Sequence, residues 1–345
     1  MNYEKFGKII LSVALIFFIL FTLIFVFNTT RFTKGPIESS IWGQYGDLIG
    51  GLIGTVVALV GVFLLYETLG QQRSALARQE DFFIKQQVET RFFELVRIQR
   101  ENVLQLKTKG KVGREVFIQF RDDFHELFQK VLDQYPQNAS TKKENESVPQ
   151  WYREITQIAY LILFYGVNNF SMDDLKRKIQ SITNDRGGYR EIESLLDTLT
   201  KEHQTTKDEN DKKGSVKHYL KYDGQQARLG HYFRHLFQTV NYINDQPTHL
   251  FNYRAKYNYV KTLRAQLSTH EQAILFFNSL TELGAPWEMN NTEDNSKLVT
   301  KYNLIKNLPS GFTNQINPKF YYPDVYFEYD ERKSQNRVHL EGIYN

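Results

Sequence analysis

The sequence predicts an all-α protein with two N-terminal transmembrane helices, a helical stalk and a cytoplasmic α-helical domain. Three observations carry this. Two runs of 19 residues, Ile9 to Phe27 and Leu48 to Tyr66, contain no charged side chain. At 1.5 Å per residue each reaches about 29 Å, the thickness of a bilayer's hydrocarbon core. Outside these runs glycine and proline are sparse, while Leu, Lys, Glu and Gln recur at helical spacing. Aromatic residues make up 14% of the 345-residue chain, and many of them fall in the C-terminal half, where they can fill a core.

The first run is too long for a signal peptide, and no small-residue cleavage site follows it. It predicts a retained anchor. Lys5, Lys8, Arg73, Arg78 and Lys85 lie on one side of the two spans, and only Arg31 and Lys34 lie between them. This asymmetry predicts a multi-pass membrane protein with both ends in the cytoplasm. Trp42 and Tyr45 fall where an interfacial belt is expected. Asp47 and Glu67 read as boundary residues of the second span, not as an ion path.

The second span carries a pattern of its own. Gly43, Gly46, Gly50, Gly54 and Gly61 are separated by 3, 4, 4 and 7 residues, which keeps all five on one helix face. Gly46, Gly50 and Gly54 form two overlapping G-x-x-x-G units, which let helix backbones approach closely in lipid. Frequent glycine in membrane spans is the plainer explanation. The partner of such a face is either the first span or the same span of a neighbouring copy, so a homo-oligomer in the lipid bilayer is expected.

The domain organisation follows: residues 1–70 as a membrane anchor, with spans at about 9–27 and 48–66, then 71–135 as stalk and first helical part, then 151–345 as a cytoplasmic helical domain. In the stalk, Leu69, Leu76 and Phe83 recur every seven, but the charged Arg73 and Glu80 between them weaken the coiled-coil pattern. A helix is expected from Arg114 to about Gln134, then a polar loop over 136–150. Trp151 to Val167 reads as a buried core helix, with a re-entrant segment as the alternative. Ser171 and Asp174 make a capping signal. Helices are expected near Leu175–Ile182, Tyr189–Leu199, Gln225–Asn244 and Leu250–Leu267. The charged segment Lys201–Ser215 reads as a loop. Ser268 and Glu271 predict a capping box ahead of EQAILFFNSL. A last helix is expected from about Asn295 to Leu308, followed by an aromatic tail forming a strand or a packed arm.

Net charge of +4 with 24% charged residues makes no demand for nucleic acid, and the absence of cysteine removes disulfides, thiolate metal sites and cysteine nucleophiles. No metal site and no cofactor is expected, and no P-loop, H-E-x-x-H, G-x-S-x-G or G-x-G-x-x-G motif occurs. His231, Arg234, His235 and Gln238 follow i, i+3, i+4, i+7 and share a face. Such a face can bind an anion or perform acid–base chemistry. It can equally brace a neighbouring helix, such as the one bearing Arg264 and Gln266. His125, on an aromatic helix, reads as structural.

LGHYFRHLFQTVNYI, RAQLSTHEQAILFFN and KLVTKYNLIKNL together resemble the phage abortive infection protein family (AbiC-like), and WGQYGDLIGG, FFELVRIQREN and GREVF extend the similarity toward the N-terminus. The resemblance implies a membrane-associated bacterial protein of antiviral defence that responds to an unknown phage-derived or host trigger, and it implies no particular reaction. Arg264 and His270 also resemble the arginine–histidine pair of HEPN ribonucleases. RNA is a partner only under that alternative. Against it, the Ser268–Glu271 capping box places His270 in the first turn of the next helix.

Overall fold

A computed structural model describes residues 3–32, 39–108, 110–135, 150–168, 170–183, 188–212, 220–288 and 297–330. The expected polar loop at 136–149 and the end of the tail, 331–345, lie outside the described residues. The chain is mostly helical, as expected. Helix α1 spans Tyr3–Phe32 and α2 spans Ser39–Gln105. A short antiparallel hairpin follows, with Lys107 opposite Val112 (β1, Lys107–Thr108; β2, Lys111–Val112). Then come α3 (Glu115–Gln134), α4 (Gln150–Tyr165), α5 (Met172–Thr183), α6 (Tyr189–Lys212), α7 (Gln226–Asn244), α8 (Tyr253–Arg264) and α9 (Thr269–Ser279). A 3-10 turn at Glu282–Gly284 and the one-turn helices α10 (Ala285–Glu288), α11 (Leu298–Lys301) and α12 (Pro318–Tyr321) complete it. The chain divides into two units, Met1–Gln86 and Gln87–Asn345.

In the first unit α1 and the first half of α2 pack through aromatic rings. Phe21 and Phe25 stack on Tyr45 at 5.9 and 4.3 Å, Trp42 meets Phe25 edge-on at 5.4 Å, and the Thr22 and Tyr45 hydroxyls share a hydrogen bond. Ile49 and Val60 are buried on the same side of α2. Most other apolar side chains there stay exposed, among them Leu48, Leu52, Leu59 and Val62. Among the described residues one helix, Ser39–Gln105, is long and apolar enough to cross a membrane. The apolar part found in α1, Ser12–Asn28, is shorter than that test requires, so the first expected span, Ile9 to Phe27, does not emerge from it.

The second unit is built around α9. Every residue from Glu271 to Ser279 is buried, so this helix is surrounded by protein, with apolar Ala273 to Phe277 at its centre. It packs against α3 and α4, with Phe124 stacked on Phe277 at 3.8 Å. The α4 helix is buried over nearly its whole length, in line with a core helix. It ends at Gly166, where the chain at 222–225 closes on it. The Val167 N–H donates to the Tyr222 carbonyl, and the Gln225 N–H to the carbonyls of Leu163 and Phe164. Gly166 and Gly224 meet backbone to backbone there, both with positive φ.

Two expected boundaries were wrong. The charged segment after Leu199 is not a loop: α6 continues to Lys212. Its inward side chains have partners, with Glu202 paired to Lys130 and Lys221, and His203 Nδ1 2.6 Å from the Lys221 carbonyl. On the outer side Gln204 donates to Asp208 one turn on. The last helix shrinks to Leu298–Lys301, because the carbonyls of Tyr302 and Asn303 are taken by the Arg264 guanidinium and Asn303 adopts a positive φ. The aromatic tail, as far as Asp330, is a packed arm with Val325 and Phe327 buried.

Candidate functional site

Helix α7 turns Leu229, Tyr232, Phe233, Leu236, Val240 and Ile243 inward. The 3.6-residue period therefore carries His231, Arg234 and Gln238 to the exposed side, with His235 at the edge. His235 is half-buried, and its Nδ1 lies 2.9 Å from Oε1 of Gln99 on α2. Burial lowers its pKa, and the neighbouring His231 and Arg91 lower it further, so its ring is neutral at pH 7. Since Gln99 Oε1 accepts, Nδ1 carries the proton and Nε2 is left as the basic atom.

From His235 a line of polar groups runs through the buried side of α7. Gln99 is 3% exposed. Its Nε2 approaches the Tyr232 hydroxyl closely enough to favour the phenolate slightly, yet makes no hydrogen bond of regular geometry. The Tyr232 hydroxyl donates instead to Glu271 Oε1 at 3.2 Å. Burial raises the Tyr232 pKa well above its ordinary value, and the Glu271 charge adds to this. Glu271 is 2% exposed; its Oε2 accepts the Ser268 N–H at 2.8 Å and lies 3.8 Å from Arg114 Nε. Its pKa is raised by burial, against the opposing pull of Ser268, Arg114 and Tyr232. The capping box expected at Ser268 and Glu271 is present, and its carboxylate is also the inner end of this network.

Arg264 and His270 are not brought together. Arg264 is 5% exposed; its Nη1 donates to the Tyr302 and Asn303 carbonyls, each at 3.0 Å, and its guanidinium lies 5.9 Å from the centre of the Tyr257 ring. Burial pushes the Tyr257 hydroxyl up, but the charge and hydrogen bond of Arg264, with Asn303 and Lys306, hold it below the ordinary tyrosine value. His270 faces elsewhere, edge-on to Phe312 at 5.0 Å. Its pKa is lowered by burial first and by Arg121 second. His125 is wedged beside Phe124 and Phe277, with its Nε2 buried and unpaired, and burial pushes its pKa down to about 4. Among the described residues no three His, Asp or Glu side chains cluster as metal ligands would.

The glycines in the first half of α2 stand apart from these groups. A Cβ placed on Gly43, Gly46, Gly50, Gly54 or Gly61 meets nothing within 4 Å. Their face is therefore not the one that packs on α1, where Trp42 and Tyr45 make the contact.

With this geometry in place, comparison adds a family. Residues 224–313 match the family model described as "Putative phage abortive infection protein". The AbiC-like assignment holds for this segment. It contains all three blocks, GHYFRHL, RAQLS and KLVTKYN, and it opens at Gly224, the backbone contact that closes α4. The match is narrower than the sequence resemblance, which extended to WGQYGDLIGG and GREVF. No curated protein and no solved structure matches the chain. Within the AbiC-like segment lie His231, Arg234, His235, Arg264, His270 and Glu271, but not Gln99. That last residue was missed in the sequence, although a polar side chain in the buried series Val88, Phe92, Gln99, Val103 was a legible sign.

Proposed function

We propose that the chain is a membrane-anchored anti-phage protein of the abortive-infection kind. In this reading two N-terminal spans hold it in the bacterial inner membrane, and the helical domain stands in the cytoplasm. There the domain recognises a phage-derived or host product of infection, and the spans assemble through their glycine faces into homo-oligomers that perturb the bilayer. The family match at 224–313 supports the defence role. The basic residues flanking the spans support the orientation.

The observation that carries the membrane step is the glycine face. A Cβ built on any of the five glycines would meet nothing within 4 Å beyond its own stretch of helix. On a helix exposing this much apolar surface, a face without side chains suits close contact with another helix in lipid. The competing mechanism, a tethered ribonuclease acting through Arg264 and His270, draws no support from the geometry. The Arg264 guanidinium is engaged by two carbonyls, and His270 faces Phe312.

The test is to replace residues 1–70 with a soluble oligomerisation tag and challenge cells with phage. The membrane reading expects protection and toxicity to be lost while the domain remains folded. Protection that survives the exchange would overturn it in favour of a cytoplasmic catalytic domain.

A further inference from the structure

Between the last turns of α2, the turn ahead of α3 and the α8–α9 corner lies a cavity of about 350 Å³, within the size range of small-ligand sites. Its apolar walls are aliphatic: Val96, Val103 and Leu104 from α2, and Leu263 and Leu267 from the corner. No aromatic ring lines it, so it offers nothing for a nucleobase to stack on.

The polar groups of the lining differ in how far they are satisfied. The Glu271 carboxylate already accepts from the Ser268 N–H and the Tyr232 hydroxyl, and Arg114 stands 3.8 Å from it. Arg114 also donates through Nη2 to the Gln266 carbonyl at 2.7 Å. Two donors are left over. Gln99 Nε2 belongs to a residue 3% exposed and has no regular hydrogen-bond partner. Arg100 lines the cavity from an exposed position, and among the described residues no hydrogen bond or ion pair engages its guanidinium. Of the two, Arg100 is the one open to the cavity, where a ligand oxyanion would pair with its guanidinium. Two arginines against one carboxylate also leave the lining net positive.

We propose that this cavity binds a small anion carried on an aliphatic chain. The anionic head lies on Arg100, and the alkyl part lies against Val96, Val103, Leu104, Leu263 and Leu267. Carboxylate and phosphate heads share the chemistry that Arg100 recognises. One wall comes from α2 and the other from the AbiC-like segment, so such a ligand would tie the two together. The site stands independently of the membrane-perturbing mechanism.

The experiment uses the full chain in lipid nanodiscs, with octanoate, octyl phosphate and octanol as probes and empty nanodiscs as the baseline for partitioning. Octanoate and octyl phosphate are expected to bind above baseline, and the tighter of the two identifies the head group. Octanol is expected to bind at least about tenfold more weakly. Arg100→Gln, at an exposed position, should keep the wild-type melting temperature and weaken both anions about tenfold, while Arg100→Lys, which keeps the charge but loses the planar fork, should fall between the two. Octanol binding as tightly as octanoate would overturn the proposal, as would Arg100→Gln binding like wild type, or no probe binding above empty nanodiscs.

Discussion

Glycine serves opposite purposes in the two units. At Gly166, Gly224 and Gly284 a Cβ would stand 2.4, 2.4 and 2.2 Å from backbone atoms of another part of the chain, so the side chain is missing because two backbones touch. At Gly43, Gly46, Gly50, Gly54 and Gly61 a Cβ would touch nothing. The same contrast holds for apolar helices. α9 is wrapped by α3 and α4 and exposes almost none of its surface, whereas the Leu48 to Tyr66 stretch leaves Leu48, Leu52, Leu59 and Val62 open. An apolar helix must be covered by protein or by lipid. α9 finds its cover within the chain, and the first half of α2 finds only part of it there.

The largest expected effect breaks this comparison at its strongest point. Gly224→Ala should destabilise the second unit by more than about 3 kcal/mol, since it forces both a backbone clash and a positive φ on an L residue. Gly54→Ala should leave the melting of that unit unchanged. Thermal unfolding of the two variants in detergent checks the pair; equal losses would erase the distinction.

A second contrast separates buried from exposed cations. Arg264→Ala removes two charge-assisted hydrogen bonds and leaves the Tyr302 and Asn303 carbonyls without them, at a cost of about 3 kcal/mol. Arg234→Ala, on the exposed side of α7, should stay within ~0.5 kcal/mol. If Arg234→Ala nevertheless abolishes phage protection in a stably folded chain, the α7 face is a binding surface and not a brace.

The α9 start gives a smaller effect. Ser268→Ala should lower stability by about 1 kcal/mol through loss of the cap, and His270→Ala by less, as read from denaturant midpoints.

How legible was this molecule in its sequence? The helices with one clear apolar face, α3 and α7, were readable almost to the residue, because burial and period agree in them. The capping box of α9 was readable because both of its partners are local. What depended on distant partners was not. Residues after Leu199 look like a solvated loop until Lys130 and Lys221 supply charges for Glu202. KLVTKYNLIKNL looks helical until Arg264 takes two of its carbonyls. The role of Gln99 appears only when His235 and Tyr232 are brought beside it from 136 and 133 positions along the chain. The glycine stripe was legible as a face, but not which face α1 would choose.

A further expectation concerns pH. His125 has its pKa pushed down to about 4 by burial, so the unfolded chain binds its proton more readily in the window from about 6.5 down to 4. Stability from this site is full above pH 6.5 and is lost as pH falls through that window. His125→Phe should flatten part of that decline, as measured by unfolding at pH 7 and pH 5. An unchanged slope would assign the decline to other groups.

In the proposed mechanism the glycine face meets another copy of the same helix in the membrane. The chain has no cysteine, so single cysteines report without background. Gly50→Cys and Gly54→Cys, oxidised in native membranes, are predicted to give a disulfide-linked dimer, while Val60→Cys, at a buried position on another side of α2, gives none. Efficient dimer formation at Val60 with none at Gly50 or Gly54 would contradict the account.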